Sequence, residues 1–410
     1  MKYRADIDGL RTLAILPVVF FHAGLPLFSG GYVGVDIFFV ISGFLIGGII
    51  IDARHEGTFS YIQFYERRAR RLLPALFTVV SATLIAGYVL LIPGDYRELF
   101  ESARYTVVFI SNFFFMNTID YFSQESEFMP LLHTWSLAIE EQFYIFWPLV
   151  IALYVKMTDT VSKRFGIAFL LSILIISLIS SVISIRTDPV MTFYMIPFRL
   201  WELALGTVIA IAMRTWPDLV KGERVWLFPP WLPYSAGLIL CIVSVFTLDK
   251  QSLFPALNAV PVCIGTALLL LFGDSKANPA AWVFRRPPVV FIGKVSYSWY
   301  LWHWVVLAFF RVYQEKIVLS GNHAFLCIVL SLLLAIITWY LIENPMRFKA
   351  SKSLIFRFSA VAGLLLLGIS SAGISADGAA FRFKIDLDYI SSRGEMWRWA
   401  STRKIVDGLG

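Results

Sequence analysis

Charge is scarce in this chain. Of its 410 residues, 15% are Asp, Glu, Lys or Arg, against about 25% in soluble domains. Set beside a hydrophobic content of 58% and 36 Phe, that shortage excludes a water-soluble globular protein. Cysteine is scarcer still. Cys241, Cys263 and Cys327 stand in or beside apolar runs without metal-ligand spacing, so a disulfide framework and a cysteine metal site are excluded and packing roles remain. The chain also lacks a GxxxxGK[ST] loop and a GxGxxG fingerprint, which removes the classical nucleotide folds. It shows no internal repeat and no low-complexity tract. The start, "MKYRADIDGL", runs into an apolar segment without a small-residue cleavage site, so that segment is expected to stay as a first span.

What the chain has instead is a succession of apolar runs of about 20 residues, each long enough to cross a bilayer as a helix. Spans are expected near 10–27, 33–51, 72–92, 134–155, 165–184, 193–213, 231–248, 256–272, 289–310, 323–342 and 355–374. The piece "TVVFISNFFFM" at 106–116 is too short to cross, which suggests a half-helix or re-entrant segment. The expectation is an all-α polytopic membrane protein of eleven spans.

The net charge of +7 then reports topology before binding, and no nucleic-acid partner is expected. With the N-terminus in the cytoplasm and 106–116 left out of the count, the outer connections hold Arg97, Arg104, Arg186, Lys250, Arg311 and Lys316. The cytoplasmic set is far richer and includes Arg54, Arg67, Arg68, Arg70, Arg71, Lys221, Arg224 and Lys276. A crossing at 106–116 would invert every later loop and erase this bias. The domain plan is a transmembrane unit over 1–350, a further transmembrane helix over 351–375, and an outward linker over 376–410 leading towards a possible further domain.

Ionisable residues inside spans are costly and are functional candidates by default. In "RTLAILPVVFFH", Arg11 and His22 lie eleven residues apart, about 16 Å along a helix, and eleven steps of about 100° bring them to one face. By spacing alone, a headgroup anchor and an internally bonded histidine explain them as well as a working pair does. In "GVDIFFVISGFLI", Asp36 falls at a depth similar to His22, where a carboxylate could fix the tautomer of an imidazole. Gly34 and Gly43 there allow close helix approach, and Ser42 fits packing. "FYERRARRLLPAL" carries four arginines, either a topology signal or a phosphate site. Later spans add Glu140 and Glu141, then Arg199 and Glu202 at pairing distance on one face, and then Tyr297, Tyr300 and His303. Together they imply a polar cavity lined from several helices.

These stretches resemble the acyltransferase-3 family of integral-membrane O-acyltransferases, bacterial enzymes that acetylate surface glycans. The resemblance rests on "DIDGLRTLAILPVVFFHAG", "GVDIFFVISGFLI", "FYERRARRLLPAL", "HTWSLAIEEQFYIFWPL", "RLWELALG", "SYSWYLWH" and "IENP", in the family's order over residues 6–345. It implies acetyl-CoA or a similar acyl-CoA as donor, and no metal. The acceptor it implies is an envelope glycan such as lipopolysaccharide O-antigen, or a lipid-linked sugar. The location it implies is the bacterial inner membrane, in contact with lipid. By position, Arg11 and His22 match the family's essential pair, and Arg67, Arg68 and Arg71 match its basic motif. The expected catalytic set is His22, Asp36 and Arg11, with CoA phosphates on Arg67, Arg68, Arg71 and Arg11. Ser42, Glu141, Arg199, Glu202, Tyr297, Tyr300 and His303 are expected to line the channel. The tail resembles members that continue into an SGNH-type domain. The alternative class is a transporter or flippase of a sugar-lipid or anionic solute, since buried Glu and Arg also mark substrate paths.

Overall fold

The computed structural model describes residues 3–216, 229–274 and 278–383, all helix and connecting loop, with no strand among them. Lys221, Arg224, Lys276 and the tail beyond 383 lie outside the described residues. A helix forms at each of the eleven expected spans. They are α1 (Ala5–His22), α2 (Gly34–His55), α3 (Tyr61–Leu90), α6 (Thr134–Thr160), α7 (Lys163–Ser184), α9 (Ile196–Thr215), α10 (Trp231–Thr247), α11 (Ala256–Phe272), α12 (Pro287–Gln314), α13 (Gly321–Thr338) and α15 (Lys352–Ser375). Shorter helices are α4 (Pro93–Val107), α5 (Ser111–Thr118), α8 (Pro189–Tyr194) and α14 (Asn344–Phe348). Seven are long and apolar enough to cross a membrane by themselves. The protein is an all-α polytopic membrane protein.

Local chemistry sets the boundaries. Ser60, Ser162, Ser320 and Ser351 precede α3, α7, α13 and α15, and each side chain accepts from a backbone N–H three residues on, satisfying a donor the helix leaves open. Proline opens α4, α8 and α12, where its missing N–H costs nothing. Burial then sorts the helices by layer. In α2 the most apolar window is 78% buried, whereas in α7, α13 and α15 the figure is 22%. α2 is therefore a central helix, and the other three turn apolar side chains such as Ile176, Leu333 and Leu364 outward, as a lipid-facing layer does.

Two close approaches fix the centre. A Cβ on Gly34 would collide with the Ala14 carbonyl of α1, and one on Gly43 with the Leu203 carbonyl of α9. α2 is thereby wedged between α1 and α9, in the small-residue manner of membrane helices.

The stretch 106–116 forms no through-going helix. α4 runs back along α15, from Pro93 beside Gly378 to Val107 beside Gly363, and α5 returns in the opposite sense. The chain breaks at Phe109, whose φ is 57°. The polar groups freed at this break are satisfied internally, as non-helical backbone at membrane depth requires. Gln142 Nε2 donates to the Phe109 carbonyl at 3.1 Å and to Asn112 Oδ1 at 2.8 Å, and Asn112 Nδ2 donates to the Tyr194 carbonyl at 3.1 Å.

Candidate active site

α1 is one continuous helix through Pro17 and carries Arg11 and His22 on the same side. The two mark opposite ends of a polar core. At the Arg11 end, a narrow cavity of about 60 Å³ is lined by Arg11, Arg68 and Arg71, then by Ser42, Glu140 and Tyr144, and finally by Ser136, Tyr297 and Tyr300. Ser136, Glu140 and Tyr144 follow at steps of four, one stripe of α6. Ser42 Oγ donates to Glu140 Oε1 at 2.8 Å, and Tyr297 Oη to the Leu72 carbonyl at 2.9 Å. Three guanidiniums at one mouth and hydroxyls further in suit an anionic group on a slender polar arm.

At the other end, a cavity of about 600 Å³ is lined by Asp95, Glu98, Glu125 and Glu315, with Ser102, Thr118, Gln124, Phe128 and neighbouring apolar residues. No Lys or Arg is among its lining residues. One stretch joins the two cavities: Met129 and Pro130 line the second, and Ser136 and Leu137 the first.

Between them lies a layer of imidazoles and hydroxyls whose protons can be assigned by elimination. A backbone carbonyl only accepts, so His303 Nδ1 carries the proton it shares with the Tyr300 carbonyl at 2.6 Å. In a neutral ring, His303 Nε2 is then an acceptor. His22 Nδ1, 3.0 Å from it, must donate. That leaves His22 Nε2 with its lone pair, facing the Tyr121 hydroxyl at 2.8 Å. The result is a base aimed at a hydroxyl, within the reach general-base work needs. His22 is 3% exposed, and Trp304 meets its ring edge-on at 4.6 Å.

A second set of contacts closes the layer. Arg311 donates from Nη2 to the His22 carbonyl, and its Nη1 lies 3.1 Å from Glu127 Oε2. Lys250 Nζ holds the other Glu127 oxygen at 2.7 Å. Ser126 Oγ donates to the Tyr121 carbonyl at 2.8 Å. The segment bearing Tyr121 is thus clamped over the C-terminal end of α1, where cationic Arg311 also suits the helix dipole.

Several expectations are corrected. Asp36 does not orient His22. It stands seven residues before Gly43, two helical turns, and so shares the face turned to α9; there Arg199 Nη2 donates to Asp36 Oδ1 at 3.1 Å. His303 takes the orienting position instead. Arg67 is exposed, while Arg68 and Arg71 reach the cavity. Arg70 pairs with Glu66 and bonds the Ala350 carbonyl, which is structural work. Glu141 is off the cavity wall, and the preceding Glu140 lines it.

Arg199 and Glu202 do pair, Nε to Oε1 at 3.2 Å, but they line neither cavity and so are not the channel residues expected. With Asp36 they form a sealed triad of two carboxylates and one guanidinium, every member fully buried. Phe39, Trp135, Phe193 and Phe254 surround the guanidinium at 5.4–5.6 Å. Cys263 brings a third ligand-type atom to the two carboxylates, all within 4.8 Å. The guanidinium already supplies the cation there, and a divalent ion beside it would meet strong like-charge repulsion. The triad acts as a lock between α2 and α9.

Residue-type reasoning passed over Tyr121, His133 and the Arg311–Glu127 clamp. Tyr121 stands in the polar stretch "NTIDYFSQESEF", where nothing distinguishes it. Glu140 was findable from the four-residue stripe it shares with Ser136 and Tyr144.

A family model described as an acyltransferase domain matches residues 4–343. A Staphylococcus aureus (strain MSSA476) protein provisionally named an O-acetyltransferase is 31% identical over 385 residues, covering 90% of this chain and 61% of that protein. The provisionally named peptidoglycan O-acetyltransferase YrhL of Bacillus subtilis (strain 168) is 29% identical, covering 86% and 56%. The O-acetyltransferase OatA of Staphylococcus aureus (strain NCTC 8325 / PS 47) is 28% identical, covering 87% and 59%. The chain therefore spans about six-tenths of the length of these relatives. No solved structure matches it.

Proposed function

Because the chain belongs to the acyltransferase family whose model matches residues 4–343, we propose that it is a membrane O-acetyltransferase that carries an acetyl group from acetyl-CoA to a sugar hydroxyl across the bilayer. Arg11, Arg68 and Arg71 hold the CoA phosphates at the cytoplasmic mouth, and the thioester arm lies in the narrow cavity. The acceptor enters from the 600 Å³ cavity on the outer side. The membrane is the bacterial inner membrane, with the N-terminus in the cytoplasm.

One observation carries this reading. His22 Nε2, its lone pair set by His303, faces a hydroxyl in the layer between an arginine-lined cavity and an acidic one. In the transfer, hydroxyl oxygen bonds to the thioester carbonyl carbon and the C–S bond breaks. The hydroxyl proton passes to His22 Nε2 and from there to the departing thiolate. Tyr121 holds the hydroxyl nearest the base, so we read the transfer as two steps, each using His22 as base. In the first, Tyr121 Oη takes the acetyl group from the thioester as above. In the second, the sugar oxygen bonds to the acetyl carbonyl carbon, the ester bond to Tyr121 Oη breaks, and the sugar proton passes through His22 Nε2 back to Tyr121 Oη.

The acceptor is an envelope glycan. Carboxylates accept hydrogen bonds from sugar hydroxyls, and a lining of four carboxylates without a base favours an uncharged stretch of glycan over a polyanion. Peptidoglycan is the acceptor offered by a relative's name, and lipopolysaccharide O-antigen the one implied by the motifs.

The test is the protein reconstituted in nanodiscs with acetyl-CoA and glycan acceptors. CoA release that needs acceptor and is lost in His22→Ala is the expected result. Solute flux with no acetyl-CoA consumed would sink the enzyme reading and favour a transporter.

A further inference from the structure

His133 stands immediately before α6, on the stretch that joins the two cavities. It is 1% exposed, and neither of its ring nitrogens has a hydrogen-bond partner. The Leu301 backbone also bears on the ring, outside hydrogen-bond geometry. The ring sits within the catalytic layer, its centroid 5.9 Å from His303, 5.5 Å from Tyr300 and 6.4 Å from Trp304.

The neighbouring donors are all committed. The Tyr121 hydroxyl donates to His22, His22 Nδ1 to His303, and His303 Nδ1 to the Tyr300 carbonyl. Tyr300 Oη donates to the His133 carbonyl at 2.8 Å, so Ser136 Oγ donates to Tyr300 Oη at 2.7 Å. Trp304 Nε1 donates to the Met129 carbonyl at 2.7 Å. Within this layer, the ring N–H of His133 is the donor hydrogen left over. An unpaired donor held this deep is costly, and acyl transfer supplies the acceptor it lacks. When hydroxyl oxygen adds to the thioester carbonyl, the carbonyl oxygen gains a negative charge, which it loses again as the C–S bond breaks.

We infer that His133 is a further catalytic residue, whose neutral ring donates a hydrogen bond to the oxyanion formed during acyl transfer. The inference rests on the acyl-transfer reading above. It assigns His133 a fixed donor's role, distinct from the proton-moving role of His22.

The experiment compares wild type, His133→Ala and His133→Gln in nanodiscs, measuring acceptor-dependent CoA release against acetyl-CoA concentration and pH. His133→Ala is expected to lose about 10²- to 10³-fold in kcat, the usual loss for one such donor, with KM for acetyl-CoA nearly unchanged. His133→Gln, whose amide still donates, is expected to recover at least about tenfold of that loss. The pH profile should keep its shape in both variants, because a ring that stays neutral across the assay range contributes no limb to it. Activity of His133→Ala within about threefold of wild type overturns the inference. So does a Gln variant no better than Ala while both keep the wild-type thermal midpoint, or loss of one limb of the pH profile in the Ala variant. If the Ala variant does not fold, His133→Asn takes its place beside Gln, and inactivity in both folded amide variants overturns the inference. Wild-type CoA release is read separately and reports on the acyl-transfer reading itself.

Discussion

His303 Nε2 lies 3.0 Å from His22 Nδ1 while its own Nδ1 is bound to the Tyr300 carbonyl. Two imidazoles on α1 and α12 thus form one hydrogen-bonded chain whose polarity is set by a backbone oxygen. A carboxylate in that position would be charged. A neutral imidazole instead keeps the buried layer free of an unpaired anion.

Replacing His303 by Phe keeps ring volume but removes the acceptor for His22 Nδ1–H. We expect kcat to fall by about 10²-fold, in the range that loss of general-base assistance produces, with KM for acetyl-CoA little changed. Replacement by Gln, which can still accept, should retain more activity than Phe. Equal activity in wild type and His303→Phe would sink the orienting role.

The triad makes a stability prediction from charge counting. Asp36→Asn leaves Arg199 balanced by Glu202, whereas Arg199→Met leaves two buried carboxylates without a cation. Removing one partner of a buried pair costs about 3–5 kcal/mol, so Arg199→Met should lower the thermal midpoint far more than Asp36→Asn. Thermal unfolding in detergent, followed by fluorescence-detected size exclusion, reads the difference. The reverse order would contradict the lock.

At the arginine mouth the three neighbouring cations should behave differently. Arg68→Ala and Arg71→Ala are expected to raise KM for acetyl-CoA by about 10- to 100-fold each, from hydrogen bonds to a charged group of about 1.5–3 kcal/mol. Arg67→Ala should change it less than about threefold, because Arg67 is exposed away from the cavity. Titrations at two ionic strengths check that the effect is carried by charge.

Tyr121→Phe separates one-step from two-step transfer. With labelled acetyl-CoA and no acceptor, rapid quench should trap label on wild type, at Tyr121 by peptide mapping, and none on the Phe variant. Label on His22 in the Phe variant, or full turnover by that variant, would rule out the tyrosine step.

Much of the fold was legible without coordinates, because hydropathy acts locally. Each apolar run became a helix, and the short run at 106–116 joined a hairpin that turns back. The Arg199–Glu202 pair was equally visible, since three residues on a helix share a face whatever surrounds them. The charged triad was harder. Asp36 and His22 fall at similar depth, which made a pair plausible. Only the rotation of α2, set where Gly43 meets Leu203, turned Asp36 to α9. That rotation was readable from the seven-residue interval to Gly43, but only once the packing partner of Gly43 was known.

By itself, the sequence determined that this is a helical membrane protein with arginines at one level and a histidine at another, because hydrophobicity and helix period depend on neighbours in the chain. Tertiary structure alone decided which groups meet His22. Tyr121 and His303 lie 99 and 281 residues away along the chain, and no local period links them to α1. Their meeting depends on how α12 packs along α1 and on how the Arg311–Glu127–Lys250 clamp draws the 119–133 segment over its end. Hydrogen-bond direction was settled the same way, by a carbonyl that can only accept.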